Sequence, residues 1–333
     1  MSEATKGQMG ERERTTCVVI GGGPAGMVLG LLLARAGVEV TVLEKHDDFL
    51  RDFRGDTVHP STLALLDELG LGDRFAALPQ SRLTEIAFPT GENDRVVVGD
   101  LTRLRVAHPY IAMVPQWDFL TLLADAGNRE PTFSLRMGTE VTDLAYDGGR
   151  VAGVRYRTRD GATGTLRAEL TVACDGRESL ARERAGLRPV EAPVPMDAWW
   201  FRLSREPGDM TSLTPLMRDG RFGIVIPRQG YHQIAYLGRK GIDPELRAAG
   251  IEAFRDEVAR VLPRLADRVG ELTDMHDVKH LDVRLNRLRR WHTSGLLCLG
   301  DAAHAMSPIG GVGINLAVAD AVAAARLLAR PLR

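Results

Sequence analysis

The sequence is short of three things: cysteine, excess charge of either sign, and long apolar runs. Its three cysteines, Cys17, Cys174 and Cys298, lie far apart within apolar segments, which is typical of buried reduced thiols. This pattern excludes a disulfide scaffold and a cysteine metal cluster. Reduced thiols make the cytoplasm the expected compartment.

The charge and hydropathy patterns exclude two further classes of protein. The 333 residues include 43 basic and 44 acidic ones, so no basic surface for nucleic acid or an anionic membrane is expected. No segment reaches the ~18 consecutive apolar residues of a membrane span, and MSEATKGQMGERERTT lacks the apolar core of a signal peptide. We therefore expect a disordered tail over residues 1–14 and a small molecule as the partner.

The first informative segment is TCVVIGGGPAGMVLGLLLARAG, which starts at Thr16. A β-branched run over residues 16–20 predicts a strand, the pattern over residues 24–36 predicts a helix that ends at Gly37, and residues 38–43 predict a second strand. A strand, a helix and a strand of these lengths form a βαβ unit. We therefore expect a parallel sheet.

Three glycines mark the turn between this first strand and its helix. Gly21, Gly23 and Gly26 form a G-x-G-x-x-G motif, and Glu44 ends the second strand. Glycines let the backbone approach a pyrophosphate, the helix N-terminus favours its negative charge, and the carboxylate accepts hydrogen bonds from ribose hydroxyls. We predict a dinucleotide site, although this motif does not separate NAD from FAD.

The middle of the chain has a different pattern. Residues 133–174, which include RVAGVRYRTRDGATGTLRAELTVAC, predict an antiparallel meander inserted in the parallel fold. Residues 190–237 contain several strand-like runs, and helical stretches follow over residues 244–261 and 263–272. This region predicts a second, sheet-rich domain.

Two later motifs place an aspartate at the end of an apolar strand. In ACDGRESLAR, Asp175 precedes a helix capped near Ser179, and an ordinary Asp-Gly turn accounts for this motif when it is taken alone. In LCLGDAAHAMSPIGGVGINLAVAD, Asp301 ends a strand, and a loop over residues 308–313 leads into a helix. The N-terminus of that helix would stabilise negative charge on an electron-accepting ring. We expect the first glycine motif to hold a diphosphate and this loop to hold the redox end of the same cofactor.

In this order and at these separations, the three motifs resemble those of the class A flavoprotein monooxygenases, the family typified by para-hydroxybenzoate hydroxylase. The resemblance spans residues 18–328. It implies an α/β fold with a Rossmann-like FAD-binding domain, containing a parallel sheet and an antiparallel meander, and an intermingled sheet-rich substrate domain. The expected FAD-binding domain covers residues 15–80, 111–190 and 283–333, and the expected substrate-binding domain covers residues 81–110 and 191–282.

The resemblance also implies roles for individual residues. Gly21, Gly23 and Gly26 would line the FAD diphosphate, and Glu44 would bind the adenosine ribose. Of the other implied contacts, Gln116 would lie beside the ribityl chain, Asp301 would hold its hydroxyls, Asp175 would serve both FAD and NAD(P)H, and Arg54 would reach the cofactor. The complete set of further cofactor-binding residues is Lys45, Arg54, Gln116, Asp175, Asp301, Pro308, Gly310, Gly311, Gly313, Ile314 and Asn315, of which the last six would face the isoalloxazine ring.

The activity implied by the resemblance is an NAD(P)H-dependent FAD monooxygenase. In that family NAD(P)H reduces FAD, the reduced flavin takes up oxygen as a hydroperoxide, and one oxygen atom passes to an electron-rich carbon of a small aromatic or polyketide-like substrate. No obligatory acid or base is required, so the catalytic role falls to flavin-edge positioning by Arg54, Pro308 and Gly310. His304 is expected to position the loop that contains it.

Other functions stay open on the sequence. An FAD-dependent oxidase or reductase on the same scaffold is possible, as is a flavin-binding protein without turnover. A halogenase is disfavoured because its W-x-W-x-I-P motif is absent, and a disulfide reductase because there is neither a C-x-x-C pair nor a second G-x-G-x-x-G.

Candidates for the substrate pocket lie in the presumed second domain and near the flavin edge. They are His59, Trp199, Phe201, Arg202 and Arg221. Strand alternation puts Trp199 and Phe201 on one face and Trp200 on the other, and core packing explains the aromatic run as well as a pocket does. His276 and His280 are four residues apart, but no further ligands lie nearby in the sequence, so no metal is expected.

Overall fold

The computed structural model describes residues 13–50, 57–89, 95–210, 213–218 and 220–333. In these ranges the helices are α1 (Pro24–Arg35), α2 (Pro60–Glu68), α3 (Gly72–Ala76), α4 (Gln116–Gly127), α5 (Leu180–Arg184), α6 (Asp243–Val261) and α7 (Gly313–Leu328). The strands are β1 (Glu13–Ile20), β2 (Val40–Leu43), β3 (Thr57–Val58), β4 (Ser81–Leu83), β5 (Glu85–Pro89), β6 (Arg95–Asp100), β7 (Ile111–Met113), β8 (Phe133–Arg136), β9 (Thr139–Asp147), β10 (Arg150–Thr158), β11 (Thr163–Ala173), β12 (Pro189–Ala192), β13 (Met196–Ser204), β14 (Thr214–Arg218), β15 (Arg221–Pro227), β16 (Tyr231–Arg239), β17 (Lys279–Leu281), β18 (Leu285–Leu288), β19 (His292–Thr293) and β20 (Leu296–Cys298). Short 3-10 segments cover Leu101–Arg103, Pro263–Glu271, Met275–Asp277 and Gly300–Ala302.

Strand β1 lies inside an eight-stranded sheet. Five strands run parallel in the order β20-β11-β1-β2-β8, and β19 adds an antiparallel strand beside β20. The first part of β11 pairs with β10, which pairs with β9, and these three strands form the predicted meander. Residues 133–136, which were predicted to belong to it, form β8 of the parallel sheet instead. The α/β fold with a parallel sheet and an antiparallel meander is confirmed.

Alternate residues of β1 face two different cores. Cys17 and Val19 pack among residues of α1, α4 and α7, whereas Val18 and Ile20 pack with residues of β9, β10 and α5. Both faces of this strand are therefore covered, which is the usual condition of a parallel sheet. The apolar run ends where β1 reaches the rim of the sheet, at the glycine motif.

The second sheet is antiparallel throughout, in the order β14-β15-β16-β13-β17. One face packs against α6 and the 3-10 segment Pro263–Glu271, and the other face contacts side chains of β4 and β7. A sheet-rich second layer is thus present between residues 196 and 281. The exact division of the chain into two domains stays a prediction.

Two predictions of local structure need correction. Strand β1 begins at Glu13, which pairs with Leu166, so residues 13 and 14 belong to the sheet; residues 1–12 lie outside the described ranges. Helix α6 is interrupted at Gly250, whose φ of 83° is not helical. Residues 263–272 were also predicted to be helical, but they form the 3-10 segment Pro263–Glu271 instead.

Candidate functional site

A cavity of about 950 Å³ opens at the carboxyl ends of the central parallel strands. The chain leaves β1, β2 and β11 at this rim, and the residues that follow those strands, Gly21, Glu44 and Cys174, line the cavity. In open parallel sheets, ligands bind in the crevice outside the carboxyl ends of the strands. The opposite wall comes from the second sheet and from α6, through Trp200, Lys279, Leu281 and Asp243.

The three motif glycines occupy the turn for different physical reasons. Gly21 has a φ of 99°, and a Cβ there would lie 2.5 Å from the carbonyl oxygen of Cys174. A Cβ on Gly26 would collide with the carbonyl oxygen of Gly21, so glycine at this position permits the close packing of helix and strand. Around Gly23, by contrast, no described atom lies within 4 Å of a built Cβ. Gly23 therefore leaves free space in the cavity at the N-terminus of α1, where a diphosphate would be held.

Glu44 is fixed in orientation at the end of β2. Its side chain is almost fully buried, one carboxylate oxygen accepts from the Gly22 amide at 2.8 Å, and the other accepts from the His46 amide at 3.1 Å. The geometry suits a carboxylate that also accepts from ribose hydroxyls, with Lys45 lining the cavity beside it.

Asp175 has an unsatisfied oxygen at the floor of the same cavity. Its Oδ2 accepts from the Ala181 amide at 3.1 Å, while its Oδ1 is buried and has no partner among the described residues. Burial raises the pKa of this carboxyl. Buried polar atoms are nearly always hydrogen-bonded, so the orphan oxygen fits a ligand with donor groups, such as the hydroxyls of FAD. The predicted helix cap is present as well, because Ser179 Oγ accepts from the Arg182 amide at 3.0 Å.

The loop that precedes α7 is tied to α2 by one asparagine. Asn315 Oδ1 accepts from the His59 amide and from Thr62 Oγ1, both at 2.8 Å, and its Nδ2 donates to Thr57 O at 3.1 Å and more weakly to Gly311 O. This side chain therefore supports the loop from behind, and Ile314 packs in the core. The loop residues Pro308, Gly310, Gly311 and Gly313 do not line the large cavity, so their contact with a flavin ring stays a prediction.

Two further predicted residues lie close to this loop. Asp301 has a carboxylate oxygen 3.8 Å from Arg177 Nε and lies outside the cavity lining, so its ribityl contact stays a prediction. His304 Nε2 lies 2.6 Å from Asp320 Oδ2, which also accepts from the Gly300 amide at 3.0 Å. The bond to Asp320 raises the pKa of His304. His304 thereby holds the turn around Asp301 against α7.

The prediction that Trp199 and Phe201 line the substrate pocket is wrong. Both have no exposed surface, because their face of β13 is covered by α6 and packs against Phe254. The residue of this run that lines the cavity is Trp200, on the opposite face. Alternation along the strand separates the two faces correctly, but the sequence does not show which face the helix covers.

The remaining substrate candidates lie elsewhere. Arg221 forms an ion pair with Glu257 of α6, on the covered face of the sheet. Arg202 stacks over the ring of Tyr231 at 4.8 Å and lines a separate cavity of about 480 Å³. His59 begins α2 beside Gly311, and burial lowers its pKa. These three do not line the large cavity, and Arg54 lies outside the described residues.

Sequence reasoning missed a wall of the cavity that comes from several separate segments. Its members share no local motif, since they lie on the loop after β2, the turn before α5, the start of α6, the 3-10 segment Met275–Asp277 and the strands β9, β13 and β17. Gln116, by contrast, was predicted and lines the cavity. The missed residues include His46, Phe49, Thr139, Glu178, Trp200, Asp243, Arg247, His276, Val278, Lys279, His280 and Leu281.

His280 is the most constrained of these missed residues. Its ring stacks on Trp199 with 5.3 Å between the ring centroids, and its nitrogens lie 3.4 Å from Asp197 and 3.8 Å from Asp243.

Across the described ranges, no group of three or more His, Cys, Asp or Glu side chains has a metal-binding arrangement. None of the helices in those ranges has both the length and the apolar composition needed to cross a membrane.

Comparison with known proteins assigns the sequence to one family. The sequence profile of the FAD binding domain family matches residues 14–333. A 6-methylpretetramide 4-monooxygenase from Streptomyces rimosus is 34% identical over 337 residues, covering 96% of this chain and 76% of the relative. The chain belongs to the class A flavoprotein monooxygenases. It is therefore an FAD-dependent oxidoreductase, and the resemblance drawn from the three motifs is confirmed.

More distant relatives of this monooxygenase extend the comparison. A para-nitrophenol 4-monooxygenase from Pseudomonas sp. (strain WBC-3) is 27% identical over 327 residues, covering 91% of this chain and 75% of that enzyme. Among solved structures, the myxobacterial chondrochloren halogenase superposes with a TM-score of 0.82 at 22% identity, covering 96% of this chain and 75% of the halogenase. At that identity the superposition shows a shared fold only.

Proposed function

We propose that this monooxygenase uses NAD(P)H and molecular oxygen to hydroxylate a small aromatic or polyketide-like substrate. The observation that carries the proposal is the shared cavity, in which the nucleotide motif forms one wall and the second sheet forms the other. The named substrates of two relatives, 6-methylpretetramide and para-nitrophenol, support the substrate class.

The two walls offer different chemistry to their ligands. On the nucleotide side, the Gly21–Gly23 turn, Glu44 and Asp175 would hold the diphosphate and the hydroxyls of FAD. When bound, FAD would accept a hydride from NAD(P)H and, once reduced, activate molecular oxygen, which would give one oxygen atom to carbon and the other to water. The chain's own residues bind, orient and enclose the reacting groups.

The opposite wall is divided between apolar and charged side chains. Trp200, Val278 and Leu281 offer apolar surface to an aromatic ring. Lys279 and Arg247 line the same wall, and Arg247 forms an ion pair with Asp243 at 2.9 Å.

The visible spectrum of the purified protein, recorded anaerobically with NADPH and then NADH, tests the proposal. Each reduction is run with and without phenols and aromatic polyketides, and the organic product is identified after oxygen is admitted. We expect the flavin absorbance to bleach faster with one class of ligand, and a hydroxylated product to form. A bound flavin that neither nicotinamide reduces would contradict the proposal and favour an oxidase or a flavin carrier without turnover.

A further inference from the structure

Two adjacent tryptophans of β13 have different hydrogen-bond environments. Trp199 is fully buried, and its Nε1 donates to Asp243 Oδ1 at 2.8 Å. Trp200 faces the other side of the sheet and lines the cavity, yet its Nε1 is buried and has no acceptor among the described residues. The same indole donor is thus satisfied in Trp199 and buried without a partner among the described residues in Trp200.

The surroundings of Trp200 explain why its donor has no partner. The indole packs between two apolar clusters, one containing Met113 and Ile226 and the other containing Ala198 and Val283. Aliphatic side chains offer no acceptor, and a buried N–H without a partner is destabilising. Phenylalanine would fill much of this space without burying an unpaired N–H. Residue 200 is nevertheless a tryptophan, and the described part of the folded chain does not use its Nε1–H donor.

Since the described residues offer Trp200 Nε1 no acceptor, a ligand bound in the cavity can supply one. We propose that Trp200 Nε1–H donates a hydrogen bond to a ring-attached oxygen of the aromatic substrate; this inference rests on the proposed function. The donor is covered in the ligand-free protein, so substrate binding must displace the side chains that cover it or turn the indole. Trp200 then selects oxygenated rings over hydrocarbon rings of the same shape.

The hydrogen bond also has a chemical consequence for hydroxylation. An N–H that donates to a phenol oxygen favours the phenolate, because it stabilises the negative charge on that oxygen. A phenolate enriches its ortho and para carbons in electrons, and these are the carbons that electrophilic oxygen transfer attacks. Recognition and activation of the substrate would thus use the same donor.

Paired probes of equal shape test the assignment. The FAD-loaded protein is titrated with 1-naphthol and with 1-methylnaphthalene, and binding is followed by perturbation of the flavin absorbance. We expect the wild-type protein to prefer 1-naphthol. Trp200→Phe should weaken 1-naphthol binding by about five- to tenfold and leave 1-methylnaphthalene binding unchanged, so that the preference collapses.

The neighbouring tryptophan provides the matched control. Trp199→Phe removes the indole donor that Asp243 already accepts, so it should lower the melting temperature and keep the preference for 1-naphthol. The inference is overturned if Trp200→Phe keeps the wild-type preference, or if the wild-type protein shows none. Failure of NAD(P)H to reduce the wild-type flavin, with the preference intact, would instead contradict the proposed function alone.

Discussion

The side of Gly23 that would carry a Cβ faces free space, whereas Gly21 and Gly26 face main-chain oxygens. The fold itself requires glycine at positions 21 and 26. Gly21 has a positive φ and lies against the main chain of Cys174, and Gly26 lies against the carbonyl oxygen of Gly21. At Gly23 the backbone is extended and has no such need. Only the cofactor gives a reason for a missing side chain there.

This difference gives a prediction at the residue scale. Gly23→Asp should leave the protein folded and remove FAD, because a carboxylate would occupy and repel the diphosphate position. The measurements are the flavin-to-protein absorbance ratio and the thermal unfolding curve. Gly26→Ala is the control, and it should unfold at a lower temperature because its Cβ collides with Gly21. A yellow Gly23→Asp protein with normal FAD content would remove this turn from the cofactor site.

At the scale of single residues, the sequence predicts best where chemistry depends on neighbours in the chain. The glycine turn, Glu44 and Asp175 are local features at strand ends, and all of them line one cavity. Trp199 and Trp200 show the limit: period-two alternation separates them, but only the packing of α6 decides which one is in the core.

Helix α6 is divided at Gly250 into two parts with different tasks. The first part carries Asp243 and Arg247 to the cavity, and the second packs Phe254 and Val258 against the covered face of the second sheet. Gly250 has φ 83° and ψ 175°, which places it in a region nearly exclusive to glycine. The break therefore sets the direction in which the cavity-lining part runs.

Replacing this glycine should have a measurable cost. Gly250→Ala is expected to lower the free energy of unfolding by about 1–2 kcal/mol, because alanine is strained at this φ. Gly270→Ala is the matched control: a Cβ there also meets no described atom within 4 Å, but its φ is not positive, so we expect little change. Urea unfolding of both variants measures the difference. Equal stability of the two would show that the break at Gly250 is not held by its glycine.

The junction between the α7 loop and α2 depends on Asn315, which uses both ends of its amide. Asn315→Asp should destabilise the protein by about 2–3 kcal/mol, because a carboxylate cannot donate to the carbonyls of Thr57 and Gly311. Thr62→Val removes a single donor to the same amide and should cost about 1 kcal/mol. Thermal and urea unfolding measure which variant loses more stability. Equal losses would contradict the conclusion that the junction depends on both ends of the Asn315 amide.

Elements with strong local periodicity are predicted well, and those defined by distant pairing are not. Helices α1 and α4 follow from their apolar periodicity and begin where expected. Strand β17 has only three residues and exists because it pairs with β13, so nothing within it indicates a strand. The cavity wall it supplies could therefore not be derived from the sequence.

At the scale of the whole molecule, one buried carboxylate joins the second sheet to the chain that returns to the first. Asp197 on β13 accepts from Lys240 Nζ at 2.8 Å and from the amides of Gly241 and Val283 at 3.0 Å. Burial by itself would raise the pKa of Asp197, but these hydrogen bonds outweigh it and lower the pKa to about 2. The ionised form is thus stabilised by folding.

The acid stability of the protein should reflect this group. An aspartate in the unfolded chain has a pKa of about 4, so the ionised Asp197 contributes about 2 kcal/mol above that pH, and the contribution is lost as the pH falls towards 2. Asp197→Asn should be less stable than wild type at pH 7, and the gap should narrow between pH 5 and pH 2. Urea unfolding across this range measures it, and a gap that stays constant with pH would contradict the assignment.

The position of Gly21 has a consequence for how the protein is made. Its turn rests on Cys174, whose amide donates to Ile20 O at 2.8 Å, and α1 packs with α7 in one core. On a ribosome, about 150 residues must follow the glycine motif before the floor of the nucleotide cavity exists. The helix that closes the core emerges later still, after on the order of 15–60 s at ordinary translation rates. Strand β2 and helix α4 cover part of β1 and α1 earlier, but the sites of β11 and α7 stay open until these elements emerge. We therefore expect FAD to be captured late in synthesis, although its motif is translated first.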